Sequence, residues 1–407
     1  MIRALLVLTC AFAALSSSVA IALGLEQERI VVFSALVAGL CLLPYLQGAP
    51  RPRLGTGLLC LFLLLLAIAV QDGLVGTLDP LDYKVALLLL VLLAAPGLAA
   101  ELGETAMVRM SWALLALYVA ITFAYQLVAE PAAIARGYAG IVRYDVTGSV
   151  VMHASLGLVC VVLALARAAA GERLGTRCLA MAVAAMALVT VLETATRTVV
   201  LTLALFAVFQ LATAEKRSAA LVRLLAAACG LGLVFALYSA LWNPNLLLRL
   251  VSTDAGDYGS GRLPSLAWWL GLMGDHPFGL GFGAVRELMA GGKPFLEGES
   301  TLEWPHNEFV RFYVEAGPVG LAFVLLLVGL LVRTALVAAA ADPVPERRAL
   351  MLVIAADIVA ESCLQNLFNA IHHATVLVLF LAVAAARDSG TTPERVGSGQ
   401  AALPAPS

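Results

Sequence analysis

EFVRFYVEAGPVGLAFVLLLVGLLVR, residues 308–333, decides the fold. After Glu315 no charge appears until Arg333. A helix that crosses the hydrocarbon core of a bilayer needs about 20 mostly apolar residues, and this stretch supplies them. Working outward, comparable runs lie at 3–23, 30–47, 54–70, 82–99, 108–128, 149–170, 175–192, 196–213, 220–241, 347–364 and 370–386. The run from Leu188 to Leu203 is almost unbroken apart from Glu193 and Arg197, and it is read as two spans. The pattern predicts an all-α polytopic membrane protein of about twelve transmembrane helices.

Composition agrees. The chain is 62% hydrophobic and 13% charged, with mean hydropathy +0.96. Soluble domains are about half apolar and about a quarter charged, so lipid rather than a large core accounts for the excess. The net charge of −2 provides no basic field for nucleic acid. The seven cysteines show no metal-ligand spacing and lie in or beside apolar runs, as small buried hydrophobes do. Met1 to Leu23 has the outline of a signal peptide, but the many spans that follow make it an uncleaved first helix.

The organisation that follows is residues 1–241 for helices 1–9, 242–307 for a long loop, 308–386 for helices 10–12, and 387–407 for a disordered Gly/Ser/Pro-rich tail. With the N-terminus inside, one set of loops carries fifteen Lys and Arg residues, among them Arg51, Arg53, Arg167, Arg173, Arg177, Lys216, Arg217, Arg347 and Arg348. The other short loops carry five: Arg29, Lys84, Arg136, Arg143 and Arg197. Excess positive charge marks the cytoplasmic side, so both termini are expected there and the long loop on the opposite, periplasmic or outer, face. Within that loop Leu263, Leu266, Ala267, Leu270 and Met273 recur at helical spacing beside Trp268 and Trp269. This predicts an amphipathic helix on the membrane surface with tryptophans at headgroup depth, broken by Gly279, Gly281 and Gly283.

Three segments carry chemistry. They are Thr194-Ala-Thr-Arg-Thr198 at the outer end of a span, Ser260-Gly-Arg262 followed by His276-Pro-Phe-Gly-Leu-Gly-Phe-Gly283, and Trp304-Pro-His-Asn307 followed by Glu315, Gly317 and Gly320. Arginine offers permanent charge and planar paired donors suited to phosphate. Histidine is the side chain best placed to take a proton near neutral pH. Two arginines and a histidine on one membrane face suit a reaction with a phosphate leaving group and an incoming hydroxyl, such as glycosyl transfer from a lipid pyrophosphate.

These residues resemble the signature of the O-antigen ligase and polymerase superfamily. The similarity rests on His306-Asn307 with Glu315-Ala-Gly-Pro-Val-Gly320, on Gly261-Arg262 with the 276–283 stretch, and on twelve spans with the large loop between the ninth and tenth. By motif it covers about residues 194–320. The resemblance implies transfer of O-antigen glycan from undecaprenyl pyrophosphate to lipid A–core oligosaccharide at the periplasmic face of the inner membrane, with no metal or other cofactor. It implies that Arg197, Arg262 and His306 are catalytic, and that Trp304, Asn307, Arg311 and Glu315 contact substrate. Thr196 stands where the family commonly has Ser, which keeps the hydroxyl.

Plainer readings stand beside these. His306 is also where a helix capped by Asn307 begins, Arg262 is also a solvated loop charge, and Arg197 also snorkels to headgroups or pairs with Glu193. His276 serves the turn at Pro277, His372 and His373 face the interface, and His153 is a satisfied polar group within a span. Glu26 and Glu28, and Glu297, Glu299 and Glu303, are solvated loop acids. Asp357 and Glu361 share a helix face inside a span. They suit either an internal pair with an arginine such as Arg311 or the proton relay of a transporter or flippase. Within the superfamily, the polymerase that joins repeat units uses the same donor.

Overall fold

The computed structural model describes residues 2–23, 28–49, 55–75, 82–102, 112, 135–138, 141–144, 150–170, 173–194, 196–241, 262–290 and 304–386. The helix expected at 108–128 except for residue 112, half of the 242–307 loop, Glu297, Glu299, Glu303 and the tail lie outside these residues. The described helices are α1 (Ile2–Leu23), α2 (Glu28–Leu46), α3 (Thr56–Val75), α4 (Ala86–Leu102), α5 (Val150–Ala170), α6 (Leu174–Glu193), α7 (Thr198–Thr213) and α8 (Arg217–Leu241). They continue with α9 (Arg262–Asp275), α10 (Ala284–Ala290), α11 (Glu308–Ala341), α12 (Pro345–Leu364) and α13 (Ile371–Ala385).

Among the described residues six helices are long and apolar enough to cross a membrane, and α2, α7 and α13 supply shorter apolar helices. Leucines and valines such as Leu63, Leu66, Leu221, Leu225, Leu233 and Leu237 point outward. This outward apolar surface, with the apolar helices, marks a membrane protein whose lipid takes the place of a core on that side. One element departs from the all-α expectation. Strands β1 (Ala135–Tyr138) and β2 (Ile141–Tyr144) form a short antiparallel ribbon with Arg136 opposite Arg143. Tyr138, Ile141, Val142 and Tyr144 favour the extended chain there.

The centre of the bundle is α12. From Ala349 to Ser362 every residue except Val359 is buried, and α12 packs against α5, α7, α11 and α13. Its partners supply a continuous apolar core that includes Leu158, Leu163, Phe323, Leu327, Leu377 and Leu381. A helix surrounded by other helices need not be apolar all round, so α12 accommodates Asp357 and Glu361 where a lipid-facing helix would not. By contrast α8 lies on the periphery, packing against α7, with Phe235 and Tyr238 meeting Leu188 and Leu192.

Two sets of tethers define opposite ends of the bundle. At one end Arg167 of α5 pairs with Glu346 at 2.9 Å, Arg347 pairs with Asp342 at 2.7 Å, and Arg348 donates to the carbonyl of Thr213. At the other end Asn307 donates to the carbonyl of Cys363 at 3.1 Å, Gln365 donates to Thr198 Oγ1 at 3.2 Å, and Lys84 donates to Asn369 Oδ1 at 2.9 Å.

Candidate active site

Residues of all three sequence segments gather at the second of these ends. The nearly continuous apolar run around 190–200 breaks where α6 ends at Glu193. Arg197 then forms the N-cap of α7, and its carbonyl accepts from Val200 N–H at 3.0 Å. The guanidinium sits on a half-buried turn, and Tyr238 donates to Glu193 Oε1 across 3.4 Å.

His306 is held just before α11, half-buried, with φ at +45°. Left-handed backbone is uncommon for a residue with a Cβ, and it recurs where surroundings force a side chain into place. Those surroundings are visible. Pro305 is buried behind His306, and Asn307 is tied at both ends of its amide. Its Oδ1 accepts from Val310 N–H at 3.1 Å as the helix cap, and its Nδ2 donates to Cys363 of α12. Both ends of the amide expected to contact substrate thus have partners within the protein.

Arg311 is buried as well. Its Nε lies 2.6 Å from Glu308 Oε2, and its guanidinium sits 4.7 Å from the centre of the Phe312 ring. Glu308 in turn accepts from Phe368 N–H at 2.5 Å. This pairing overturns the expectation that Arg311 balances Asp357 and Glu361. His373 Nε2 is the group beside them instead, at 4.0 Å from Asp357 and 3.5 Å from Glu361. The expected interfacial position of His373 is corrected too, because it is buried beside the carboxyl groups of α12 rather than at the headgroups.

The helix α11 breaks at Ala316–Gly317, and Gly317 has φ +60° and ψ −149°. Pro318 lacks an N–H, so the carbonyl of Val314 loses its helical donor. The glycine-rich bend repairs this. Leu280 N–H donates to the Val314 carbonyl and Gly281 N–H to the Glu315 carbonyl, each at 2.9 Å. The approach is close enough that a Cβ on Gly279 would lie 2.6 Å from the Glu315 oxygen, and one on Gly317 would lie 2.7 Å from the backbone of Phe278. From the far side the end of α3 holds the same bend. Gln71 donates to the Phe278 carbonyl at 2.6 Å, while Asp72 accepts from Phe282 N–H at 3.1 Å and from Tyr83. Glu315 is buried beneath this junction, and the side-chain contacts of Trp304 are with the cluster described next.

Arg262 opens α9, and its side chain lies outside the described part. The helix itself lies against the head of α11. Trp269 is fully buried among Val285, Met289, Val310 and Val314, with Leu266, Met273 and Trp304 around them. The expectation of both tryptophans at headgroup depth is corrected here, because Trp269 faces protein. Leu270, on the same helix, remains exposed.

Residues 181–325 match the family model described as O-antigen ligase. The match supports assignment to the O-antigen ligase family. It spans Arg197, Arg262 and His306, along with the glycine bend and the kink of α11. No curated protein matches the chain. Sequence reading missed Asp72 and Gln365, and misplaced His373. The available signal was that each is polar at the end of an apolar run, where an unpaired group is costly; the contacts of Asp72 with Phe282 and of Gln365 with Thr198 join distant parts of the chain and carry no local trace.

Proposed function

We propose that this protein is a membrane glycosyltransferase of the O-antigen ligase type, moving a glycan from undecaprenyl pyrophosphate to lipid A–core oligosaccharide on the periplasmic face of the inner membrane. One observation carries the reading. The residue after Arg197 and the residue after His306 are both tethered to the C-terminal end of α12, at Gln365 and Cys363. An arginine and a histidine far apart in sequence thus meet at one end of the bundle. The packing of α9 on α11 brings the start of the Arg262 helix to the same region.

In this reading the acceptor hydroxyl oxygen attacks the anomeric carbon, and the bond from that carbon to the pyrophosphate oxygen breaks. The hydroxyl proton passes to His306. Arg197 and Arg262 hold the pyrophosphate as charge grows on it, which is where fixed cations lower a barrier most. Asn307 positions His306. Trp304 and Glu315 are assigned to the acceptor side, and Arg311 supports the start of α11. The family match fits the repeat-unit polymerase as well as the ligase, and the assay below separates them.

The test is transfer in liposomes that hold the lipid-linked donor and a lipid A–core acceptor. His306→Ala and Arg262→Ala, correctly inserted, are expected to lower transfer by about a hundredfold or more, the usual effect of losing a base or an oxyanion-stabilising donor. Wild-type rates in both variants overturn the reading. Elongated lipid-linked glycan in place of modified core would identify the polymerase.

A further inference from the structure

Deeper in the bundle, and outside the machinery assigned above, four polar side chains from three helices converge. Ser155 comes from α5, Asp357 and Glu361 come from successive turns of α12, and His373 comes from α13. All four are buried, with Asp357, Glu361 and His373 exposed by 1%, 2% and 5%. Ser155 Oγ donates to Asp357 Oδ2 and lies 2.9 Å from His373 Nε2. One ligand-type atom from each of Asp357, Glu361 and His373 falls within 4.8 Å of the others. Thr202 of α7 holds the outer oxygen of Asp357 at 3.3 Å.

Two features call for an occupant. Two buried carboxyl groups side by side are costly to ionise unless cations compensate them. The nearby buried arginines are committed elsewhere, Arg311 to Glu308 and Arg347 to Asp342. One imidazolium offsets only one of the two charges. In addition, Glu361 Oε1 is buried with no hydrogen-bond partner among the described residues, although its companion oxygen faces His373 Nε2 at 3.5 Å. A buried carboxylate oxygen in that state usually marks an absent ion or water.

We propose that Asp357, Glu361 and His373, with Ser155 as a fourth ligand, bind one divalent metal ion of the zinc class as a structural clamp on α5, α12 and α13. The donor set suits it, because carboxylate and imidazole are the borderline ligands that zinc accepts. Tetrahedral ligation at about 2.0–2.2 Å places ligand atoms roughly 3.3 Å apart. His373 Nε2 stands 3.5 Å from Glu361 and 4.0 Å from Asp357, and the three ligand atoms lie within 4.8 Å of one another, so the ion would draw the side chains together by up to about 1.5 Å. Thr202 then has the role of the outer hydrogen bond that orients a ligating carboxylate. The ion neutralises both charges and engages Glu361 Oε1. It is a structural site and takes no part in the transfer step, so it does not depend on the proposed activity.

The experiment uses the full chain in detergent or nanodiscs, stripped with a chelator and then offered zinc or cobalt. The wild-type protein is expected to retain about one equivalent of zinc after gel filtration, to melt several degrees higher with it, and to show the cobalt spectrum of mixed nitrogen and oxygen ligands. His373→Gln and the double variant Asp357→Asn, Glu361→Gln are expected to lose the bound metal and the thermal shift together. Equal metal content in wild type and variants overturns the proposal. If the variants do not fold, the wild-type measurements decide alone. Stripped wild type that takes up neither metal, or that gains no stability from it, overturns the proposal and leaves protons as the compensating charge.

Discussion

At the scale of single residues, the informative positions are those where one atom more would not fit. Gly317 combines a positive φ with a ψ that essentially only glycine adopts. The position its Cβ would take is already occupied by the Phe278 backbone at 2.7 Å. Gly317→Ala is therefore expected to destabilise the protein by about 2–4 kcal/mol, from backbone strain and displacement of the bend together. Gly329→Ala in the same helix meets nothing within 4 Å and serves as the control. Thermal melts of the two variants in one detergent check this, and equal midpoints would show that the bend moves aside freely. Glycine and proline at 317–318 were visible in the sequence as a motif, and His306 and Arg197 as chemistry. That Arg311 pairs with Glu308, and that His373 turns inward, was not visible. A side chain's partner on another helix depends on how helices rotate against each other, and an almost uniformly apolar sequence records little of that rotation.

At the scale of elements, the apolar helices of the described residues lie close to where hydropathy placed them, because length and hydropathy act locally; six of them are long and apolar enough to cross a membrane. Even the break between α6 and α7, signalled only by Glu193 and Arg197, falls where it was expected. What hydropathy does not rank is depth in the bundle, so α12 read as one span among many although it is the innermost. The start of α11 shows why this matters. Asn307 caps the helix and also ties it to α12, and the two roles can be separated. Asn307→Ser keeps an oxygen for the cap and loses the reach to Cys363. It is expected to stay within about 1 kcal/mol of wild-type stability, whereas Asn307→Ala loses about 1 kcal/mol more from the missing cap. On the proposed function, Asn307→Ser lowers glycan transfer about tenfold by loosening His306, since small displacements of a base cost rate steeply. A serine variant that transfers at full rate would remove α12 from any part in positioning the histidine.

At the scale of the molecule, the two ends of the bundle differ in charge, and that difference predicts orientation. The basic residues assigned to the inner loops on sequence grounds include Arg167, Arg347 and Arg348, and the structure gathers these three at one end through Glu346, Asp342 and Thr213. Lys84 and Arg197, from the sparse set, are at the opposite end with His306. Two independent partitions, one from counting charges and one from tethers, therefore divide the chain in the same way. Arginine and lysine bias the cytoplasmic side because they resist translocation. The end with Arg167 and Arg347 is thus expected inside and the His306 end outside. Alkaline phosphatase inserted within 291–303 is expected to be active, and a fluorescent protein fused after residue 386 is expected to fluoresce, since the first needs the oxidising exterior and the second a cytoplasmic location. The reverse pattern would place His306 on the face where a periplasmic acceptor is out of reach, and would sink the proposed reaction along with the orientation.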